Sequence, residues 1–276
     1  MSGKMTQDRL QDRLQDRRLT ELVEAFKEDS GQYRDIETPR DAEGRRRLLR
    51  SLMNIRMPGS MSPETLKVQD EYLHARAEEK GIVYLSDIPA TEGVISIWQG
   101  DITCLAVDAI VNAANSQMLG CFVPMHTCID NCIHTFAGIQ LRDECNRQMT
   151  RLRARYGSRY EQPTAVPMLT DGYNLPAKKV IHIVGPIVSD RLTPALEQDL
   201  ADCYTNTLNM CLENGLRSVA FCCISTGVFR FPPQRAAQIA VRTVRDWLRE
   251  HEGSIDRVIF NVFSDKDRNI YEALFK

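Results

Sequence analysis

Three side chains with an affinity for soft metals fall within eight residues, Cys121, His126 and Cys128, and a carboxylate, Asp130, follows two residues after the last of them. Thiolate and imidazole together suit zinc, and three protein ligands rather than four leave one coordination position open, as catalytic zinc sites do. That is the layout of a centre that activates a water or a hydroxyl. The spacing C-x4-H-x-C is not that of a common zinc finger, and nine cysteines make some clusters by accident. Spacing alone therefore leaves metal ligation and buried free thiols equally open. Asp130 also stands where a helical pattern begins, and a carboxylate there can cap backbone N–H groups; the capping and chemical roles are compatible.

Two further stretches could bind rather than react. Gly100-Asp101-Ile102-Thr103 follows a strand pattern at residues 94–99, and a carboxylate at a strand end either accepts from an exocyclic amine or serves as a turn acid. Ser225-Thr226-Gly227-Val228-Phe229 joins a strand to a helix through small residues. The backbone N–H groups of such a loop, those of Gly227 and Val228 included, can cradle a diphosphate without any basic side chain, although a short glycine-containing loop is weak evidence by itself. Asn115 closes an Asn-Ala-Ala-Asn turn, where asparagine readily takes a left-handed conformation. Other reactive types read as structural. His182 lies inside an apolar strand and is assigned to the core, His134 and Cys132 to the helix after Asp130, and Cys222-Cys223 to a strand with side chains on opposite faces.

The elements that must position these residues change character along the chain. Residues 7–18 repeat Gln-Asp-Arg-Leu with only Leu10 and Leu14 as apolar anchors, which predicts a charged, disordered tail over 1–18. Leu19, Leu22, Val23 and Phe26 then fall at helical spacing, a second helix is expected at 40–56, and Ser62-Pro63-Glu64 opens a third that runs to Gly81. From Ile82 the character changes to alternating strands and helices: strands at 94–99, 108–111, 164–169, 179–184, 218–224 and 257–263, a helix at 130–148, an exposed loop at 151–162, and helices opened by Thr193-Pro194 and Pro232-Pro233. Such alternation implies a mostly parallel sheet covered on both faces, with ligands beyond the carboxyl ends of its strands.

A chain of 276 residues with 43% hydrophobic residues suits one large soluble domain with an appendage. A formal net charge of −2 provides no basic field for a phosphate backbone, so general nucleic-acid binding is not expected. No apolar run is long enough to span a bilayer. Nine cysteines without a disulfide framework point to a reducing, intracellular compartment, and the cytoplasm is the expectation.

The segment from Val107 to Ala137 resembles the first ligand-binding loop of the zinc-containing macrodomains that remove ADP-ribose from proteins. In commoner macrodomains a run of glycines separates the Asn-Ala-Ala-Asn turn from a Val-Asp-Gly motif. Here Gly120 is followed by the cysteine and histidine insertion, and the motif reads Ile129-Asp130-Asn131. The resemblance covers most of the chain and implies a three-layer α/β/α macrodomain with a mixed, mostly parallel sheet at 91–276, and a small helical region at 19–90 packed on it.

The resemblance further implies one Zn2+ per chain on Cys121, His126 and Cys128. It gives Asn115 a contact with the distal ribose, and Asp130 a part in activating the attacking water. It implies that Asp101, followed by Ile102, accepts from adenine, that residues 225–229 hold the diphosphate, and that Phe229 lies against a ribose. With two thiolates and a neutral imidazole such a zinc is formally uncharged, so it acidifies water less than zinc on three histidines does. The activity implied is hydrolysis of the bond between ADP-ribose and a protein side chain. The alternatives are a reader that binds ADP-ribose around a structural zinc, and action on a free ADP-ribose derivative.

Overall fold

The protein is described by a computed structural model covering the backbone of residues 2–276 and the side chains of residues 10–276. Three helices come first, α1 (Ser2–Ser30), α2 (Ala42–Ile55) and α3 (Pro63–Lys80). Leu19, Leu22, Val23 and Phe26 of α1 are buried against Leu49, Leu52 and Met53 of α2 and Tyr72 and Leu73 of α3. Asp41 caps α2 through Gly44 N, and Ser62 caps α3 through Thr65 N, with Pro63 at the first helical position.

The structure corrects the disordered tail expected at 1–18, because α1 already begins at Ser2. Its anchors there are polar, which a search for apolar periodicity does not detect. Gln15 Nε2 donates to the Tyr72 carbonyl at 3.3 Å, Arg18 pairs with Glu71 at 2.6 Å, and Asp16 meets Arg45. Met1 and the side chains of residues 2–9 lie outside the described residues.

The strands are β1 (Val83–Tyr84), β2 (Ile95–Gln99), β3 (Leu105–Ala106), β4 (Ala109–Ala113), β5 (Met168–Asp171), β6 (Lys179–Ile183), β7 (Ser218–Phe221) and β8 (Arg257–Val262). β1 and β3 form a short parallel pair. The other six make one sheet in the order β2-β8-β7-β4-β6-β5, parallel except for the edge strand β5. The inner strands are apolar nearly end to end because helices cover both faces. One group, α4 (Ile129–Ala137) and α5 (Ile139–Tyr156), packs against β4 and β5; the other, α6 (Pro194–Glu213), α7 (Pro233–Glu250) and α8 (Asp265–Glu272), packs together over β2, β6 and β8. The result is three layers, α/β/α.

One register difference positions the site. β4 pairs with β6 from Ala109↔Lys179 through Ala113↔Ile183, but with β7 only at Ala109↔Val219 and Ile110↔Ala220. Beyond Ile110 the two central strands part. The loops that follow β4 and β7 emerge on either side of this split, which is where ligands bind in open parallel sheets.

Three local expectations change. The single helix predicted at 130–148 is two helices, broken at Gly138, whose φ is +93°. That positive φ favours glycine, and a Cβ there would also lie 2.7 Å from Gln69 Nε2 and 2.9 Å from Asn174 Nδ2, so either side chain would have to give way to a larger residue. α5 continues to Tyr156 and absorbs the first part of the exposed loop predicted at 151–162. β7 ends at Phe221, so Cys222-Cys223 follow the strand instead of lying within it. No described helix is long and apolar enough to cross a membrane.

Candidate active site

Asp130 occupies the first turn of α4, with Cys128 as the N-cap residue. Its carboxylate is buried. Oδ1 accepts from Asn112 Nδ2 at 2.7 Å and Oδ2 from Asn115 Nδ2 at 3.4 Å, while His134 Nε2, one helical turn on, stands 3.6 Å from Oδ1. Burial pushes the Asp130 carboxyl up to about 6, against the Asn112 hydrogen bond and the positive field of Arg142, which both lower it. Asn115 is held in turn: its Nδ2 donates to the Gly120 carbonyl at 3.1 Å and its Oδ1 accepts from Gln117 N at 3.0 Å. The Asn-Ala-Ala-Asn turn thus aims both of its asparagines at one carboxylate.

Behind this carboxylate lies a buried polar layer. Asn112 Nδ2 also stands 3.0 Å from His182 Nδ1, and His182 Nε2 is 3.0 Å from Thr170 Oγ1. Burial holds the His182 imidazole neutral, with its pKa lowered to about 3, so its reading as a satisfied core histidine agrees with the structure. His134 is likewise buried, and burial together with His182 lowers its pKa well below the ordinary value. Its ring lies under Gly120 (φ +81°), where a Cβ would come within 2.8 Å of it. His134 therefore supports the loop from below, and neither ring nitrogen makes a hydrogen bond among the described residues.

Cys121, His126 and Cys128 converge above α4. Their donor atoms lie within 4.8 Å of one another, and Cys121 Sγ is 3.7 Å from His126 Nδ1. Adjacent sulfur and nitrogen ligands on a tetrahedral zinc stand about 3.5 Å apart, given bonds of about 2.3 and 2.0 Å, so the donor set fits that ion in chemistry and the Cys121–His126 pair fits it in spacing. Burial, with Cys121 and Asp130 nearby, pushes the Cys128 thiol up to about 12, despite the lowering bond from Asn131 N. Thiols in this state bind a soft dication as thiolates, releasing their protons to solvent. All nine cysteines are free of disulfides.

Asn131, which stands where related loops carry glycine, ties the insertion together. Its Nδ2 donates to the carbonyls of Cys121 (3.3 Å) and Val123 (3.0 Å), and its N–H points at Cys128 Sγ (3.4 Å). Three residues that the sequence reading passed over hold the same region. Arg50 Nη2 reaches the His126 carbonyl at 2.7 Å, Asn54 Oδ1 accepts from Met125 N at 3.0 Å, and Arg142 Nε reaches the Leu119 carbonyl at 2.7 Å. Arg142 also lies over the Phe122 ring at 4.3 Å. Asn54 and Arg142 are nearly inaccessible to solvent, and a buried amide or guanidinium requires partners; that burial shows only in the fold, and the sequence carried no signal of their role.

The residues expected to bind a ligand follow the carboxyl ends of β2 and β7. Asp101 caps the short turn at Ile102–Cys104, accepting from Thr103 N at 2.9 Å, and pairs with Lys80 of α3 at 2.6 Å. Burial alone would raise its pKa, but Lys80 and Thr103 together bring it below the ordinary carboxylate value. Ile102, which follows Asp101, is buried as a whole residue. In the loop after β7, Ser225 adopts φ +65° and is buried, with its hydroxyl unpartnered among the described residues. Thr226 Oγ1 donates back to the Cys223 carbonyl at 2.9 Å, and Arg230 N to Gly227 O at 3.0 Å, closing a tight turn. The N–H groups of Gly227, Val228 and Phe229 make no hydrogen bond among the described residues. Val228 is exposed, and Phe229 is half-buried against the core. Three successive free N–H groups on a turn form an anion cradle.

Residues 111–240 match the Macro domain family. A protein-ADP-ribose hydrolase of Treponema medium is 48% identical over 257 residues, covering 92% of this chain and 96% of that protein. A protein-ADP-ribose hydrolase of Staphylococcus aureus (strain MRSA252) is 42% identical, covering 94% of this chain and 95% of that protein. Among solved structures, the Trypanosoma brucei macrodomain in complex with ADP-ribose superposes with a TM-score of 0.63 at 29% identity, over 82% of this chain and 95% of that one.

Proposed function

Since this chain belongs to the macro domain family, we propose that it is a zinc-dependent hydrolase that releases mono-ADP-ribose from modified protein side chains. Hydrolysis is the activity for which its Treponema and Staphylococcus relatives are named, and those matches span nearly the whole chain. The observation that carries the finer reading is the convergence of Asp130, Asn115 and the Cys121, His126, Cys128 trio at the end of β4, opposite the free N–H groups of the β7 loop.

In this reading Gly227, Val228 and Phe229 hold the diphosphate through their N–H groups, and Asp101 and the backbone of Ile102 meet the adenine. These contacts set the position of the distal ribose, so binding energy from remote parts of the ligand orients the scissile bond. Asn115 donates to the ribose while remaining tied to the Gly120 carbonyl. Asp130 Oδ2, whose one donor among the described residues is the long Asn115 contact, accepts the proton of the attacking water; Oδ1 stays fixed by Asn112. Cys121, His126 and Cys128 would hold zinc, which when bound supplies a Lewis acid beside the scissile end.

The test is release of ADP-ribose from a mono-ADP-ribosylated protein by the purified enzyme, by its chelator-stripped form, and by that form with zinc restored. Loss and zinc-specific recovery, with ADP-ribose affinity largely kept, is the expected result. Full activity of folded, stripped protein would remove zinc from the mechanism. Binding by every form with activity in none would make the protein a reader of ADP-ribose.

A further inference from the structure

The segment Cys121–Cys128 has little structure of its own. Among the described residues one backbone hydrogen bond is internal to it, His126 N to Val123 O at 3.2 Å, and Met125 is held at φ +59°, a conformation that residues with side chains rarely adopt. What shapes it is side chains from outside, and two of these come from α2. Arg50 Nη2 contacts the His126 carbonyl (2.7 Å), Asn131 Oδ1 (2.8 Å) and Cys132 Sγ (3.7 Å), bridging the loop to the first turn of α4. Asn54, one helical turn along α2, accepts from the N–H of the strained Met125 at 3.0 Å and donates to Thr135 Oγ1 at 3.0 Å. Arg50 and Asn54 therefore grip the two residues on which the His126 ring depends, one at its own carbonyl and one at the preceding N–H.

We propose that Arg50 and Asn54 are positioning residues for the metal site, and that α2 pre-forms the Cys121, His126, Cys128 triangle before the ion arrives. This rests on the proposed metal centre. The helical N-terminal region then acts as the outer shell of that centre, and not as an appendage beside the cleft. Neither residue touches the ion or the substrate. Both restrict the loop to the conformation in which its three donors converge, so the ordering cost is met in folding and not in metal binding. Outer-shell groups of this kind typically govern metal affinity by about 10- to 100-fold.

The experiment titrates zinc alone into the full chain in competition with a chromogenic chelator, for the wild type, Arg50→Ala, Asn54→Ala and Arg50→Lys. Arg45→Ala serves as control, because Arg45 also projects from α2 but pairs with Asp16 of α1. Thermal melting of the metal-free chains and ADP-ribose affinity are read alongside. Zinc affinity is expected to fall about 10- to 100-fold in Arg50→Ala and in Asn54→Ala. ADP-ribose affinity should match the control, as should metal-free melting of Arg50→Ala, whereas Asn54→Ala, which leaves Thr135 and the Met125 N–H unpaired, should melt lower; Arg50→Lys, which keeps a donor, should recover part of the loss. Zinc affinities within twofold of wild type for both alanine variants would overturn the proposal, as would an equal loss in Arg45→Ala. A wild-type chain that takes up no zinc overturns the metal centre itself and this inference with it, an outcome distinguished by the wild-type titration alone.

Discussion

Asn112 donates to Asp130 Oδ1 over 2.7 Å from within β4, so the orientation of the candidate catalytic carboxylate is set by the central strand of the sheet and not by the loop that surrounds it. The same amide faces His182, which makes it the hinge between the site and the core. Replacing Asn112 by alanine should cost about 1–3 kcal/mol of stability through the unpaired groups left behind, and about 100-fold in turnover through the misplaced carboxylate. Urea unfolding and single-turnover release of ADP-ribose measure the two effects. Unchanged turnover at reduced stability would show that Asn112 serves packing only.

Asp130→Asn preserves the shape of the side chain and removes its basicity. Turnover is expected to drop by about 100- to 10,000-fold, the range for loss of a positioned general base, while calorimetry reports ADP-ribose affinity and zinc content near wild type. Turnover within threefold of wild type would exclude Asp130 from proton transfer.

Gly185 follows β6 at the point where the chain passes beneath the β7 loop, and a Cβ there would fall 2.1 Å from Ser225 Oγ and 2.7 Å from Ile224 Cγ2. Gly185→Ala should push the diphosphate-binding turn out of place. ADP-ribose affinity is then expected to fall at least tenfold, about 1.4 kcal/mol, with zinc content unchanged. Equal losses of zinc and ADP-ribose affinity would instead indicate general unfolding of the cleft.

Burial keeps His182 neutral, with its pKa lowered to about 3, whereas in the unfolded chain it takes up a proton near pH 6.5. The unfolded state therefore binds more protons between those values. The His182 contribution to stability is intact above about pH 6.5 and declines by about 1.4 kcal/mol per unit as pH falls towards 3. Chemical denaturation from pH 7 to pH 4 should show a shallower decline for His182→Gln than for the wild type. Parallel curves would mean that the imidazole does not stay neutral in the fold.

The parts of the site that are local in the chain were legible before the fold was known. Cys121, His126, Cys128 and Asp130 lie within ten residues of each other, and residues 225–229 are one turn, so spacing singled them out as candidates, while it left metal ligation and free thiols equally open and the resemblance supplied their roles. Arg50, Asn54 and Arg142 were not legible, because nothing in a charged or polar helix residue says which distant carbonyl it will meet; Arg50 lies 76 positions from its partner His126. The break at Gly138 was hidden for a related reason. A glycine inside a helical pattern is compatible with continuation, and only the approach of Gln69 and Asn174 from elsewhere in the chain decides against it. The extension of α1 through residues 10–18 was missed because its tertiary contacts are hydrogen bonds and ion pairs, to which hydrophobic periodicity is blind.

The helical region and the sheet domain meet through polar groups. Of the buried residues in the helical cluster only Ile139 comes from beyond α3, while Gln69 with Gln140, Asn54 with Thr135, Asp70 with Asn174 and Lys80 with Asp101 join the two bodies by hydrogen bonds. Water can replace each of those bonds, whereas it cannot replace an apolar contact without a large loss of free energy. Ile139 apart, the seam covers little apolar surface, so amide protons along α2 and α3 should exchange well before those of the sheet.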